Sequence, residues 1–297
     1  MKPYDDDQWS MTFPCLLEAT EQKSAEQQHR FFWITAGQLF ALALAATASV
    51  IPSDEIGRTG PIVALLAFAG AIAVQASGLP DRAERSWYDA RAASESIKSA
   101  SWQFAVGGES FRENDEHAKR RLHDLIVEVL GQLSHLDVPA TGVGKAVATV
   151  EMEELRAADR KTRMAVYQRH RIADQLTWYS AKAIWNKRRA WRYRCVLIAI
   201  AVVAAVFGIV RISGALDADG LSVFATAASA ILVWMQAKKY VALSEAYAVT
   251  SHEIELVAAS FESVGTEEIW AQQVHDAEAA FSREHTMWKA RRQGPTT

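Results

Sequence analysis

The chain has 297 residues, half of them hydrophobic, and a formal charge of −3. So small and mixed a charge does not point to nucleic acid as a partner. Two cysteines, Cys15 and Cys195, supply neither a disulfide framework nor a metal-ligand spacing.

The mean hydropathy of −0.05 averages two unlike populations, four charge-free apolar segments and a polar, helix-favouring remainder. The start, with Asp5, Asp6 and Asp7 between Tyr4 and Trp9, is the wrong flank for a cleavable leader. Leu16–Arg30 predicts a polar helix feeding directly into the first span, Phe31–Ile51. The second span, Thr59–Pro80, follows a short loop, Pro52–Arg58. Both segments reach the roughly 20 apolar residues that a hydrocarbon core of about 30 Å requires. Phe31–Ile51 offers no polar face to water, which argues against a buried hairpin in a soluble bundle.

Pro80 predicts a break. A helix then resumes on the stripe Trp87, Ala90, Ser94, Ile97, Ser101 and Phe104, and Gly107-Gly108 ends it. Glu113–Leu133 reads as a second amphipathic helix and Leu136–Lys145 as a loop, with Pro139, Gly142 and Gly144. From Val147 the pattern is helical into the third span, on the stripe Ile172, Leu176, Tyr179, Ala183, Asn186, Ala190, Tyr193 and Leu197. The third span, 195–214, is charge-free as far as Val210, and the fourth is 220–237. Both are short, with Arg194, Arg211 and Lys238 placed to snorkel from their ends. No segment predicts a strand. The expected fold class is all-α: a membrane protein with two transmembrane helical hairpins and long cytoplasmic helices forming a bundle.

Orientation follows from the cations beside the spans. Arg30, Arg82, Arg85, Lys187, Arg188, Arg189, Arg192, Arg194, Lys238 and Lys239 lie on one side, and the two hairpin loops hold only Arg58 and Arg211. The positive-inside rule then predicts a multi-pass protein with both termini in the cytoplasm. For Lys187, Arg188, Arg189, Arg192 and Arg194 the simplest role is orienting the third span, with contact to anionic lipid phosphates or a nucleotide as the alternative. The two hairpins share one topology, and both second spans end in Gln-Ala. This reads as a parallel duplication, residues 1–135 with spans 31–51 and 59–80, and residues 147–297 with spans 195–214 and 220–237.

After the last span, Tyr240, Leu243, Tyr247, Thr250, Ile254, Val257 and Phe261 recur at alternating steps of three and four, a heptad seam. Tyr240, Leu243, Tyr247, Ile254 and Val257 are the expected coupling seam. The same phase carried back into the span meets Ser222, Thr226, Ser229, Val233 and Gln236. Polar side chains in a span face a bundle interior or a water-filled path, so Ser222, Thr226, Ser229 and Gln236 are pore-lining candidates, joined by Gln38 of the first span. The bland alternative is that such hydroxyls back-bond to their own helix.

No catalytic constellation emerges. Gly142-Val143-Gly144-Lys145 has Pro139 and Ala146 where a phosphate loop needs glycine and a hydroxyl, and His252-Glu253 has Leu256 where a zincin needs its second histidine. His117, His123 and His135 are scattered on helix surfaces. No enzyme activity, metal or cofactor is expected.

The run Thr149, Glu151-Met152, Leu155-Arg156, Arg163, Tyr167, Arg171-Ile172, Asp174-Gln175, Trp178-Tyr179, Lys182-Ala183 and Asn186 resembles the stretch before the membrane hairpin of SLATT proteins, the SMODS and SLOG-associating two-transmembrane effector domains of bacteria. Trp87–Ala93, Glu95–Lys98, Trp102, Phe104 and Phe111 resemble a second subtype of the same family. The resemblance covers about Phe13 to Phe261. It implies a non-enzymatic effector of the bacterial plasma membrane in anti-phage or inter-strain conflict, forming pores or disturbing the bilayer. Four spans per chain enclose little of a channel, so a homo-oligomer is expected if a pore forms. Its trigger would be a nucleotide signal or a sensor protein encoded nearby, acting on the cytoplasmic helices. The alternative is a membrane-anchored scaffold or sensor that recruits a soluble partner without conducting.

Overall fold

A computed structural model describes residues 9–50, 58–112, 115–138, 146–214, 220–261 and 265–293, with side chains as far as Phe281. The acidic start, Ile51 at the end of the expected first span, and the expected loop residues 52–57, 139–145 and 215–219 lie outside this set, as does Glu113. Among the described residues all regular structure is helical. Four helices are long and apolar enough to cross a membrane.

Helix α1, Cys15–Val50, runs without interruption from the polar segment into the first span, and α2 covers Thr59–Ala76. The second span ends earlier than Pro80. Gly78 takes a positive φ of 67°, Ser77 and Gly78 donate back to Ala73 and Gln75, and α3 starts at Leu79 and runs to Val106. Pro80 sits in the first turn of α3, where its missing N–H has no intrahelical acceptor to lose. Glycine, not proline, makes this break.

The chain packs as two compact units, and the division follows polarity rather than order. One unit holds 27–85 and 184–244, the other 1–26, 86–183 and 245–297. All four apolar segments fall in the first. Each unit draws on both halves of the sequence, and the boundaries fall inside helices.

In the apolar unit, Ala45 and Ala48 of α1 and Gly60 and Ala71 of α2 are buried. Small residues let backbones approach closely where water offers no drive for packing. Large apolar side chains point outward instead, among them Phe40, Leu65, Phe68, Val202, Val206 and Ile209. An apolar exterior over long charge-free stretches suits a hydrocarbon solvent.

In the polar unit, every member of the stripe Trp87, Ala90, Ser94, Ile97, Ser101 and Phe104 is buried. Helix α3 ends where Gly107 adopts φ 76°. A Cβ there would lie 2.5 Å from Arg163 Nη1, and that atom donates to the Val106 carbonyl at 2.8 Å. Trp270 Nε1 donates to the same carbonyl at 2.8 Å. Arg156 donates to the carbonyls of Phe104 and Phe111, both at 2.8 Å. Guanidinium groups thus satisfy carbonyls that a helix end leaves open and complement its negative pole. A single 3-10 turn, Glu109–Phe111, leads to α4, Asp115–Gln132, which buries Ala118, Leu122, Ile126 and Val129.

The segment after Val147 is not one helix. Thr149 caps α5, Val150–Ala157, with its hydroxyl accepting from the Met152 amide at 3.4 Å. Ala158 and Asp159 are extended, and α6, Arg160–Tyr167, begins afresh. The Thr162 hydroxyl donates to the Asp159 carboxylate. A π-helical turn, Gln168–Ile172, joins α6 to α7, Ala173–Ile212. Helix α8, Leu221–Lys238, and α9, Tyr240–Ser260, are separated by Lys239 alone, which is left-handed at φ 52° and ψ 32°. The last helix, α10, spans Glu267–Gln293.

Candidate functional site

The expected pore-lining residues do not converge within one chain. Ser222, Ser229 and Gln236 are exposed on α8 and Thr226 is half-buried. The Thr226 hydroxyl donates to the Ser222 carbonyl at 2.8 Å, the back-bond a helical threonine ordinarily makes. Gln38 lies on another helix. Its amide donates to Gln75 Oε1 at 3.1 Å and approaches the Ala71 carbonyl at 3.5 Å. Gln38 therefore ties α1 to α2 inside the first hairpin.

The seam on α9 faces inward. Tyr240, Tyr247, Thr250, Ile254 and Phe261 are buried, and Leu243 and Val257 are half-buried. The single helical phase expected from Ser222 to Phe261 is broken at Lys239. The left-handed residue ends one helix and starts the next; the stripe on α8 is largely exposed, and the seam on α9 is mostly buried. Within the apolar unit Tyr240 stacks on Tyr193 with centroids 5.5 Å apart and meets Trp185 edge-on at 6.0 Å. Within the polar unit Tyr247 meets Trp178 and Tyr179 at 5.4 and 5.5 Å. Phe261 meets Tyr167 and Trp270 at 5.9 and 5.5 Å.

Lys187, Arg188, Arg192 and Arg194 are exposed on α7, and Arg189 is half-buried over the Trp185 ring at 5.1 Å. Lys238 lies over Phe32 at 3.1 Å from the ring centroid and over Trp234 at 5.0 Å. Trp234 Nε1 donates to the Tyr193 hydroxyl at 3.1 Å. These cations and rings occupy the ends of the apolar segments, where amphipathic rings gain from contact with both solvents.

One cluster escapes sequence reasoning. Arg171, in the π turn, grips Glu278 of α10 with Nε–Oε1 2.9 Å and Nη2–Oε2 2.7 Å. The Tyr167 hydroxyl donates to the same Oε1 at 2.9 Å. Arg171 also lies over the Phe281 ring at 4.9 Å. All three polar residues are buried. Burial first and the Glu278 charge second push the Tyr167 phenol well above its ordinary range. For Arg171 burial opposes the charge, but the Glu278 carboxylate outweighs it and holds the guanidinium protonated. The available signal is that Glu278 shares a helix face with Trp270, Val274, Ala277 and Phe281, where a carboxylate needs a partner. Its partner lies 107 residues away, beyond the reach of local spacing.

Among the described residues no group of three or more His, Cys, Asp or Glu is arranged to hold a metal ion. His135 is exposed and bonds to Asp89 at 3.1 Å.

Two family profiles match the chain in tandem. SMODS and SLOG-associating 2TM effector domain 3 matches residues 14–164, and SMODS and SLOG-associating 2TM effector domain 1 matches residues 167–288. The matches meet inside α6, just before the π turn. No curated protein and no solved structure matches the chain. The chain belongs to the SLATT family of membrane-associated effector domains and carries two of them in succession.

Proposed function

We propose that this tandem SLATT chain is a non-enzymatic, multi-pass effector of bacterial anti-phage or inter-strain conflict that opens or disrupts the plasma membrane. Both termini lie in the cytoplasm, and the signal enters through the polar helices. That signal is a nucleotide or a sensor protein encoded nearby.

The observation that carries the reading is the outward stripe of α8. Ser222, Ser229 and Gln236 are exposed on a helix that is mostly apolar. Such groups are costly against hydrocarbon and gain when they face one another or water. Four spans per chain enclose little space, so the path forms between copies, with the α8 stripes turned toward a common axis. The switch needs two arrangements of the bundle whose balance the signal shifts. The seam on α9 is the element on which the signal would act.

Reconstitution into potassium- or dye-loaded vesicles with candidate triggers tests this directly. Leak that depends on a trigger supports it. Absence of leak under every trigger, together with no growth arrest on overexpression, sinks it.

A second reading has its own support. The Thr226 back-bond and the Gln38–Gln75 bond give two of the polar groups internal partners, as in a membrane-anchored scaffold that recruits a soluble protein and never conducts. Thr226→Leu with Ser229→Leu separates the two. An effector of the first kind loses conduction or toxicity while keeping expression and assembly, and a scaffold is unaffected.

A further inference from the structure

Several cations in the polar unit have acids beside them. Arg112 pairs with Glu268 at 2.9 Å, Lys119 with Glu153 at 2.9 Å, Arg156 with Asp115 at 2.8 Å and Arg163 with Glu267 at 2.7 Å. At the ends of the apolar segments such pairs are fewer. Lys239 pairs with Glu84 at 3.3 Å. Among the described residues, Lys187, Arg188, Arg189, Arg192, Arg194 and Lys238 pair with no carboxylate.

Two of these six are seated on rings, Lys238 on Phe32 and Trp234, and Arg189 on Trp185. The rings join into one belt, from Trp185 through Tyr240 and Tyr193 to Trp234 and Phe32. The belt links the first hairpin to the second and carries a cation at each end. A ring holds a cation from one side only, and leaves the other side for an anion. Its place is the start of the first span and the end of the last, the depth at which lipid phosphates lie.

We propose that this belt is a binding site for an anionic phospholipid, with Arg189 and Lys238 as the cations that take its phosphate and the rings packing against its glycerol and upper acyl region. A lipid headgroup fits better than a free anion because the aromatic faces offer apolar contact that inorganic phosphate cannot use. The bound lipid would hold the two hairpins together. This rests on the membrane seat of the helices and not on conduction, and it is read without any trigger, so it stands or falls independently of pore formation.

The test uses the full-length protein equilibrated in vesicles of equal phosphatidylglycerol and phosphatidylcholine, extracted in mild detergent and weighed with its retained lipids by native mass spectrometry. Phosphatidylglycerol should be retained in preference to phosphatidylcholine, and the preference should fall as salt rises. Arg189→Gln with Lys238→Gln should lower the preference about five-fold for each charge removed. Lys238→Arg should keep it, as should Arg120→Gln with Arg121→Gln, which removes exposed cations of the polar unit. Equal retention of the two lipids by the unaltered protein overturns the proposal, as does undiminished preference in the double variant. Displacement of phosphatidylglycerol by inorganic phosphate alone also overturns it, by assigning the site to a free anion. The unaltered protein decides two of these outcomes even if the double variant fails to reach the membrane.

Discussion

Arg171 and Glu278 form a two-pronged ion pair sealed inside the polar unit, and Tyr167 adds its hydroxyl to the same carboxylate. The guanidinium comes from a π turn, which widens the helix by one residue and re-aims its side chain. Two charges removed from water are tolerated here because each meets the other in good geometry.

Removing one partner strands the other. Glu278→Ala should therefore cost about 3–5 kcal/mol, the range for an uncompensated buried charge. Arg171→Met with Glu278→Leu should cost far less, because neither charge remains. Thermal unfolding of the purified full chain in detergent, compared between the unaltered protein and the two variants, checks the order. Equal losses in the single and double variants would show that packing, not charge, sets the cost.

Tyr167 links the cluster to pH. Its folded-state pKa is raised, so its contribution is fully present below the unfolded value of about 10 and is lost as pH rises toward the folded one. The unaltered protein should lose stability above about pH 10 more steeply than Tyr167→Phe does. At neutral pH the order reverses, since Tyr167→Phe forfeits a hydrogen bond to a charged group, about 1.5–3 kcal/mol. Circular dichroism melts at neutral and alkaline pH read both limbs.

Lys239 holds a left-handed conformation that disfavours any residue with a Cβ by about 1–2 kcal/mol. Lys239→Gly should be close to neutral, exchanging that strain for its partly exposed pair with Glu84. Lys239→Val should be markedly less stable, because a β-branched side chain fits this region worst. Melting temperatures of the two variants settle it. A valine variant as stable as the glycine variant would mean that the α8–α9 junction is not held at this backbone geometry.

Gln38 and Gln75 should show a coupling of about 0.6 kcal/mol in a double-mutant cycle with leucine, the average for side-chain hydrogen bonds between membrane helices. The readout is unfolding in detergent micelles. Zero coupling would return Gln38 to the set of residues available to line a path.

Legibility tracked continuity of the helix. The stripe Trp87 to Phe104 lies in one unbroken helix and is buried throughout; the stripe from Ile172, in the π turn, along α7 to Leu197 is buried at Ile172, Tyr179, Ala183, Asn186 and Ala190 and half-buried at Leu176, Tyr193 and Leu197. The stripe joining Ser222 to Phe261 assumes one helix through Lys239, and nothing in lysine announces a left-handed residue. The break at Ala158-Asp159 was hidden in the same way, with neither glycine nor proline to mark it. At the end of the second span two punctuating residues compete, and the first-turn tolerance of proline explains why Gly78 decides.

The sequence by itself determined the solvent, the helical class and the family, because apolar length, charge placement and short periodic runs are local properties of a chain. Tertiary structure alone decided the pairings. It sorted the two tandem domains into one apolar and one polar unit, placed Arg171 against Glu278, and left Arg189 and Lys238 on rings without an acid. Burial and charge neutralisation act between residues brought together from distant positions, and no local pattern states which residues those are.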